Sequence, residues 1–278
     1  MASSNRISLI TGANSGIGKA TAAALARAGD TVLMVCRSPE RGEAVRADIA
    51  AATGSDRIEL LIADLASQTD IRQLAGEVTS RYKRLDVLVN NAGIFKDDYA
   101  ETPDGFEMTW GVNHLAPFLL TNLLLDHLNA SPQGRIVNVS SAAHKQGQIH
   151  FADPNLKAKY SGLKAYAQSK LANILHAVEL KRRLEGTAVT ANALHPGVVG
   201  TNIGSGTWAS FFFQTLGFLL LSPEKGARTS IHLATSPAVA TVSGLYFEKQ
   251  TRSTPAKQAR DVEAARKLWA LSEQMTAA

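Results

Sequence analysis

Of 278 residues only one, Cys36, is a cysteine. No disulfide can form within the chain, and a lone thiol biases the reading towards a reducing, cytosolic compartment. Charge of one sign is scarce too. A net charge of +5 is mild and the basic residues are scattered, which excludes the concentrated basic patch of a nucleic-acid binder. Long apolar runs are missing. The nearest, 208–221, carries Phe211-Phe212-Phe213 and Phe218-Leu219-Leu220-Leu221, but falls short of the roughly 20 residues that span a bilayer. Only a few polar residues precede Ile7, so no signal peptide is expected. His114 and His144 have no metal-ligand spacing with other Cys or His residues, and no metal site is expected. What remains is the composition of a soluble globular protein, 45% hydrophobic and 19% charged, long enough to bury a full core.

The residues present alternate between two patterns. Short apolar, β-branched runs occur at 7–10, 31–36, 58–62, 87–89, 135–139, 189–194 and 244–247. Between them lie helical stretches at 19–28, 40–52, 71–82, 118–128 and 166–184. This order predicts an α/β fold of the Rossmann type, a doubly wound, mostly seven-stranded parallel sheet with helices on both faces. No linker or repeat interrupts it, so 1–278 reads as a single domain ending in a helix at 259–275. Ligands of such sheets sit at the carboxyl ends of the strands. Arg37, Asp64-Leu65, Asn90–Gly93, Ser140-Ser141 and His195–Gly197 each follow a strand and are expected to face one crevice.

Between the first strand and first helix stands Thr11-Gly12-Ala13-Asn14-Ser15-Gly16-Ile17-Gly18. Glycines at this junction let the backbone approach a pyrophosphate, and the helix start offers unpaired N–H groups and a positive dipole end. The spacing is Gly-x-x-x-Gly-x-Gly, and an ordinary strand-to-helix turn is the alternative. Further on, Tyr166 and Lys170 are four apart in a helical stretch, which places them on one face about 6 Å apart along the axis. A free phenol, with a pKa near 10, is a poor acid–base group at neutral pH. A neighbouring ammonium favours the phenolate and lowers that pKa.

Taken in order, Thr11–Gly18, Asn90–Gly93, Asn113, 137–141, Tyr166–Lys170 and 196–201 resemble the short-chain dehydrogenase/reductase family over nearly the whole length. Asn138-Val-Ser-Ser-Ala-Ala-His144, Tyr166-Ala-Gln-Ser-Lys-Leu-Ala-Asn173 and His195-Pro-Gly-Val-Val199 resemble its retinol-dehydrogenase-like branch. The resemblance implies that Tyr166 exchanges a proton with the substrate oxygen and that Ser141 orients this oxygen. Lys170 would bind the nicotinamide ribose and lower the Tyr166 pKa, and Asn113 would anchor a water beside it; a helix kink or cap is the alternative for Asn113. Ser140 is expected to face the other side of the strand end.

The resemblance also implies a dinucleotide along Gly12, Asn14, Ser15, Gly16, Ile17 and Gly18, with Asn91, Ala92, Gly93, Pro196, Gly197, Val199 and Thr201 beside it. NAD-preferring relatives end the second strand with an acidic residue. Here Cys36 is followed by Arg37 and Ser38, so a guanidinium is placed to pair with a 2′-phosphate and NADP(H) is expected over NAD(H). Solvent exposure alone is the other reading of Arg37. Asp64, with Leu65 beside it, resembles the family's adenine-contacting acid; a helix-start turn is its alternative. Cys36 itself reads as a small buried hydrophobe.

In the family the stretch after Pro196-Gly197 covers the substrate, and here 202–222 is rich in aromatic and aliphatic residues. An apolar aldehyde, ketone or matching alcohol is expected. The same residues suit a dimer contact, core docking or superficial membrane contact, and the oligomeric state, monomer or homo-oligomer, stays open. The membrane anchor of animal relatives in this branch has no expected counterpart before Ile7, which separates the reaction type from the choice of a retinoid. Other readings are a C=C reductase, which in the family uses an active-site cysteine, and a non-catalytic NADPH-binding regulator. Pairing His195 with Ser141 as a hydrolase triad lacks the Gly-x-Ser-x-Gly elbow.

Overall fold

The structure is a computed structural model that describes residues 6–197 and 221–277. Eight strands form one sheet in the order β3-β2-β1-β4-β5-β6-β7-β8. They are β1 (Ile7–Thr11), β2 (Thr31–Cys36), β3 (Ile58–Ile62), β4 (Val87–Asn90), β5 (Arg135–Val139), β6 (Thr190–His195), β7 (Tyr246–Glu248) and β8 (Thr251–Ser253). The first seven run parallel, and β8 returns antiparallel against β7. The seven expected strands are thus joined by an eighth. Its tip, Lys249-Gln250, adopts positive φ at both positions (48° and 66°) without the Asn-Gly or Asp-Gly pair that marks such hairpins in a sequence.

Strand periodicity builds two cores. Leu9, Leu33, Val35, Leu88 and Ile136 join one apolar cluster, while Ile10, Val32, Met34, Val87, Val89 and Val137 join the other. Successive residues point to opposite faces, so strands buried on both faces read as continuous apolar runs. One face carries α1 (Gly16–Arg27), α2 (Pro39–Thr53) and α6 (Pro223–Thr235), through Leu25, Ile49 and Leu233. The other carries α3 (Gln68–Arg81), α4 (Ala116–Asn129), α5 (Gly162–Arg183) and the terminal α7 (Val262–Thr276), through Leu74, Phe118, Leu180 and Trp269.

Local chemistry sets the helix ends. Ser38, Ser67, Ser222 and Asp261 each accept a backbone N–H in the first turn of α2, α3, α6 and α7. Gly54 closes α2 at φ 69°, where a side chain would be strained. Before α4 the chain makes one π-helical turn, Gly111–Leu115, a widening that no apolar periodicity announces. Among the described residues no helix is long and apolar enough to cross a membrane.

Candidate active site

The site assembles from loops at the carboxyl edge of the sheet. At the end of β1, Thr11 Oγ1 accepts from the backbone N–H of Asn91 and of Ala92, both at 3.0 Å. Asn91 Nδ2 donates back to Thr11 O (2.8 Å) and Gly12 O (3.3 Å). These bonds tie the glycine turn to the loop after β4. Gly12 needs its positive φ of 66°, and a Cβ on Gly18 would stand 2.2 Å from Gly12 O. The turn therefore closes onto the start of α1. Ser15 occupies the N-cap position, yet its side chain makes no capping bond and the first turn holds no acidic residue. A helix start with no side-chain cap and an uncompensated dipole fits a pyrophosphate.

Along the edge, Arg37 is exposed after β2, and Ser38 caps α2 by accepting from Arg41 N at 3.4 Å. Cys36 is buried, and burial pushes its thiol up to about 11, so it is no nucleophile. The Asp64 carboxylate accepts from Ala66 N (2.9 Å), forming the turn that leads into α3. Leu65 and Ala92 share the lining of one small hollow with Thr11.

At the other end, Ser140 and Ser141 diverge. Ser140 Oγ donates inward to Lys170 O (2.6 Å), which fixes the strand end to α5. Ser141 Oγ accepts from Ala143 N (3.2 Å) and is near enough to the Tyr166 hydroxyl to lower its pKa. Lys170 Nζ sits 5.5 Å from the centre of the Tyr166 ring and donates to Val139 O at 3.2 Å. Gly93 leaves room there, since a Cβ on it would stand 3.1 Å from Lys170 Nζ. Asn113 lies in the π turn. Its Oδ1 accepts from Ile94 N (2.8 Å), and its Nδ2 donates to Ile94 O (2.9 Å) and Ser169 Oγ (3.1 Å). The loop beyond Gly93 is thereby clamped to α5. Phe95 meets the Tyr166 ring edge-on at 5.8 Å.

Burial pushes the Tyr166 phenol up, while the Ser141 hydrogen bond pulls it down. Burial also lowers Lys170 from 10.5 to about 8. Ser141, Tyr166, Lys170, Asn113 and Gly93 thus meet at one place, and Asn91 and Ala92 join them to the glycine turn. Pro196 and Gly197 follow β6, with Gly197 at φ 89°. Val199, Thr201 and most of the expected 202–222 cover lie outside the described residues. Sequence reasoning missed the supports: the bonds of Thr11, Asn90 Nδ2 to Asn138 Oδ1 (2.9 Å), Asn173 Nδ2 to Val139 O (3.3 Å), and Ser169 under Asn113.

Residues 6–210 match the model of the short chain dehydrogenase family. The chain belongs to this family. It is 46% identical to retinol dehydrogenase 13 of Homo sapiens, over 96% of this chain and 83% of that protein. To retinol dehydrogenase 14 of Homo sapiens it is 48% identical, over 96% and 85%. Among solved structures, an uncharacterised protein from Mycobacterium Paratuberculosis superposes with a TM-score of 0.81 at 38% identity, covering 98% of this chain and 93% of that one. A short chain dehydrogenase from Shigella flexneri, complexed with NADP, gives 0.73 at 28% identity over 88% and 97%. The family makes the chain an oxidoreductase of the retinol-dehydrogenase-like branch that works with a nicotinamide cofactor on a small molecule. Residues able to hold that cofactor run from the glycine turn, through Asn91–Gly93, to Lys170. An oxygen beside Ser141 and Tyr166 could accept or release a proton there.

Proposed function

We propose that the chain is an NADP(H)-dependent oxidoreductase acting on an apolar aldehyde or ketone, or on the matching alcohol. The observation that carries this reading is the meeting of Ser141, Tyr166 and Lys170 beside a glycine turn whose helix start is left without a side-chain cap. The nicotinamide, when bound, supplies or takes the hydride. Ser141 Oγ orients the substrate oxygen, and the Tyr166 hydroxyl gives it a proton in reduction or removes one in oxidation. Lys170 favours the phenolate by its charge and binds the ribose hydroxyls, and Asn113 positions the loop beside it. Arg37, exposed and without a partner among the described residues, suits the 2′-phosphate. Asp64 and Leu65 would bound the adenine, and Val199 and Thr201 the carboxamide end.

The apolar preference rests on the composition of 202–222, which we read as a cover within a single domain spanning 1–278. A C=C reductase using a cysteine is disfavoured, because Cys36 is buried at the end of β2, three strands and roughly 14 Å from β5. The test is NADPH oxidation with short aldehydes, long-chain enals, all-trans-retinal, cyclic ketones and quinones, with Tyr166→Phe as the blank. Turnover that rises with apolar length and is lost in the variant supports the proposal. Tight NADPH binding without turnover on any carbonyl, or activity retained by Tyr166→Phe, rejects it.

A further inference from the structure

Ser141 stands where β5 gives way to a 3-10 turn, Ala142–Gln146, and the side chain that ends this turn's first loop is the fully buried His144. Its Nδ1 lies 2.7 Å from Ser141 O. A carbonyl only accepts, so Nδ1 carries the proton. Its Nε2 lies 3.2 Å from the backbone N of Ala256, and an N–H only donates, so Nε2 is bare. Both ring nitrogens are satisfied in one form alone, the neutral Nδ1–H tautomer. His195 next to it takes the opposite form, because its Nδ1 accepts from Ala142 N at 3.3 Å. The His144 ring also rests edge-on against Tyr246, 5.0 Å between centres.

The anchor on the far side is firm. Gln258 Nε2 donates to the carbonyls of His144 (3.4 Å), Lys145 (3.0 Å) and Gly147 (3.1 Å). Gly147 in turn presses on α5, since a Cβ on it would stand 2.4 Å from Ala167 O, one residue past Tyr166. The serine turn is therefore held between the helix that carries Tyr166 and the chain at 256–258, with His144 as the link.

We propose that His144 is a positioning residue for Ser141: one bond to the Ser141 carbonyl and one from the Ala256 amide fix the peptide plane from which the Ser141 hydroxyl swings. The inference rests on the reading of Ser141 as the group that orients the substrate oxygen. Fixing that plane fixes the bearing of Oγ towards Tyr166. Loss of the ring bond leaves this peptide held by the backbone N–H of residue 144 and by His195, a looser setting for Oγ that does not touch the cofactor crevice.

The test compares three substitutions, His144→Asn, His144→Gln and His144→Phe, each assayed for kcat, NADPH affinity by fluorescence titration and thermal midpoint. An asparagine amide lies near the place of Nδ1 and keeps the donor to Ser141 O. A glutamine amide reaches the place of Nε2 and leaves Ser141 O with the backbone N–H of residue 144 alone (3.1 Å). The expected losses in kcat are about fivefold or less for Asn and about 10–100-fold for Gln and Phe, with NADPH affinity kept within about twofold. Equal losses for Asn and Gln, or losses that follow the thermal midpoint alone, overturn the proposal. Independently, 15N NMR of histidine-labelled protein, assigned by the spectrum of His144→Asn, reads the tautomer. A neutral Nδ1–H ring at His144 supports the inference and an Nε2–H ring overturns it. Should the wild type bind NADPH yet reduce no carbonyl, the proposed function fails while the tautomer still decides this point.

Discussion

At Lys170 burial and function pull in opposite directions. A cation shut away from water is costly, and its pKa falls from 10.5 to about 8. The charge proposed to favour the Tyr166 phenolate is thus present below about pH 8 and lost above it, where a free lysine would keep it. For carbonyl reduction, kcat/KM is expected to fall through a limb near pH 8, and Lys170→Met should lower the plateau about 100-fold and erase the limb. A pH–rate profile of both proteins checks this; a limb that persists in Lys170→Met belongs to another group. At the opposite end of the crevice, Arg37→Asp should weaken NADPH relative to NADH. Because Arg37 is exposed, the effect belongs near the low end of a charge-assisted contact, about 1.5 kcal/mol. Isothermal titration with both cofactors measures it, and an unchanged ratio means that another group reads the phosphate. That Tyr166, Lys170 and Ser141 come together was legible in the sequence, because the first two are four apart in a helix and the third ends a strand. Their supports were not. Asn91 bonds to Thr11 across 80 positions, and Ser169 meets Asn113 across 56, pairings that only the folded sheet creates.

Elements show the same division. The strands β2, β3 and β5 match their expected spans: β2 is buried on both faces and reads as an apolar run, while the edge strand β3, only partly buried, and β5 are marked by their β-branched and aliphatic residues. The π turn at Gly111–Leu115 and the three-residue β8 escaped, one being an irregularity inside a helix and the other a polar Thr-Arg-Ser too short to show alternation. The glycine turn was visible by composition, but its reason is steric. A methyl on Gly18 would stand 2.2 Å from Gly12 O and 2.6 Å from Asn91 Nδ2, so the turn must open. Gly18→Ala should therefore weaken NADPH by more than about tenfold and cost about 1–3 kcal/mol of stability, as overpacking does. Gly76 in α3 is the control, exposed and with nothing within 4 Å of an added Cβ. Gly76→Ala should stabilise by about 0.5–1 kcal/mol and leave cofactor binding unchanged. Chemical denaturation and NADPH titration of both variants check the pair. Normal NADPH affinity in Gly18→Ala would show that the turn does not bear on the cofactor.

For the molecule as a whole, the sheet spaces the crevice and α7 closes the face behind it. The family match ends at residue 210, and α7 begins at Val262, so nothing in the motifs says how this helix docks. Trp269 supplies the answer. Its ring meets Phe118 at 4.8 Å and His176 at 5.7 Å, and the Arg183 guanidinium lies 4.0 Å above it. Ser272, one turn on, bonds to His114 Nε2 at 2.8 Å. A single side chain thereby joins α4, α5 and α7 over the core on this face. Trp269→Ala should cost about 3–5 kcal/mol, the range for emptying a buried aromatic site. At this chain length, that corresponds to a fall of about 5–9 °C in Tm. The reacting groups should be spared, because His176 lies ten residues beyond Tyr166, or about 15 Å along α5. Calorimetry and kcat measured well below the transition test both halves. A lowered Tm with kcat intact assigns α7 to stability. Lost turnover at unchanged Tm would mean instead that the docking of α7 governs how α5 presents Tyr166 and Lys170.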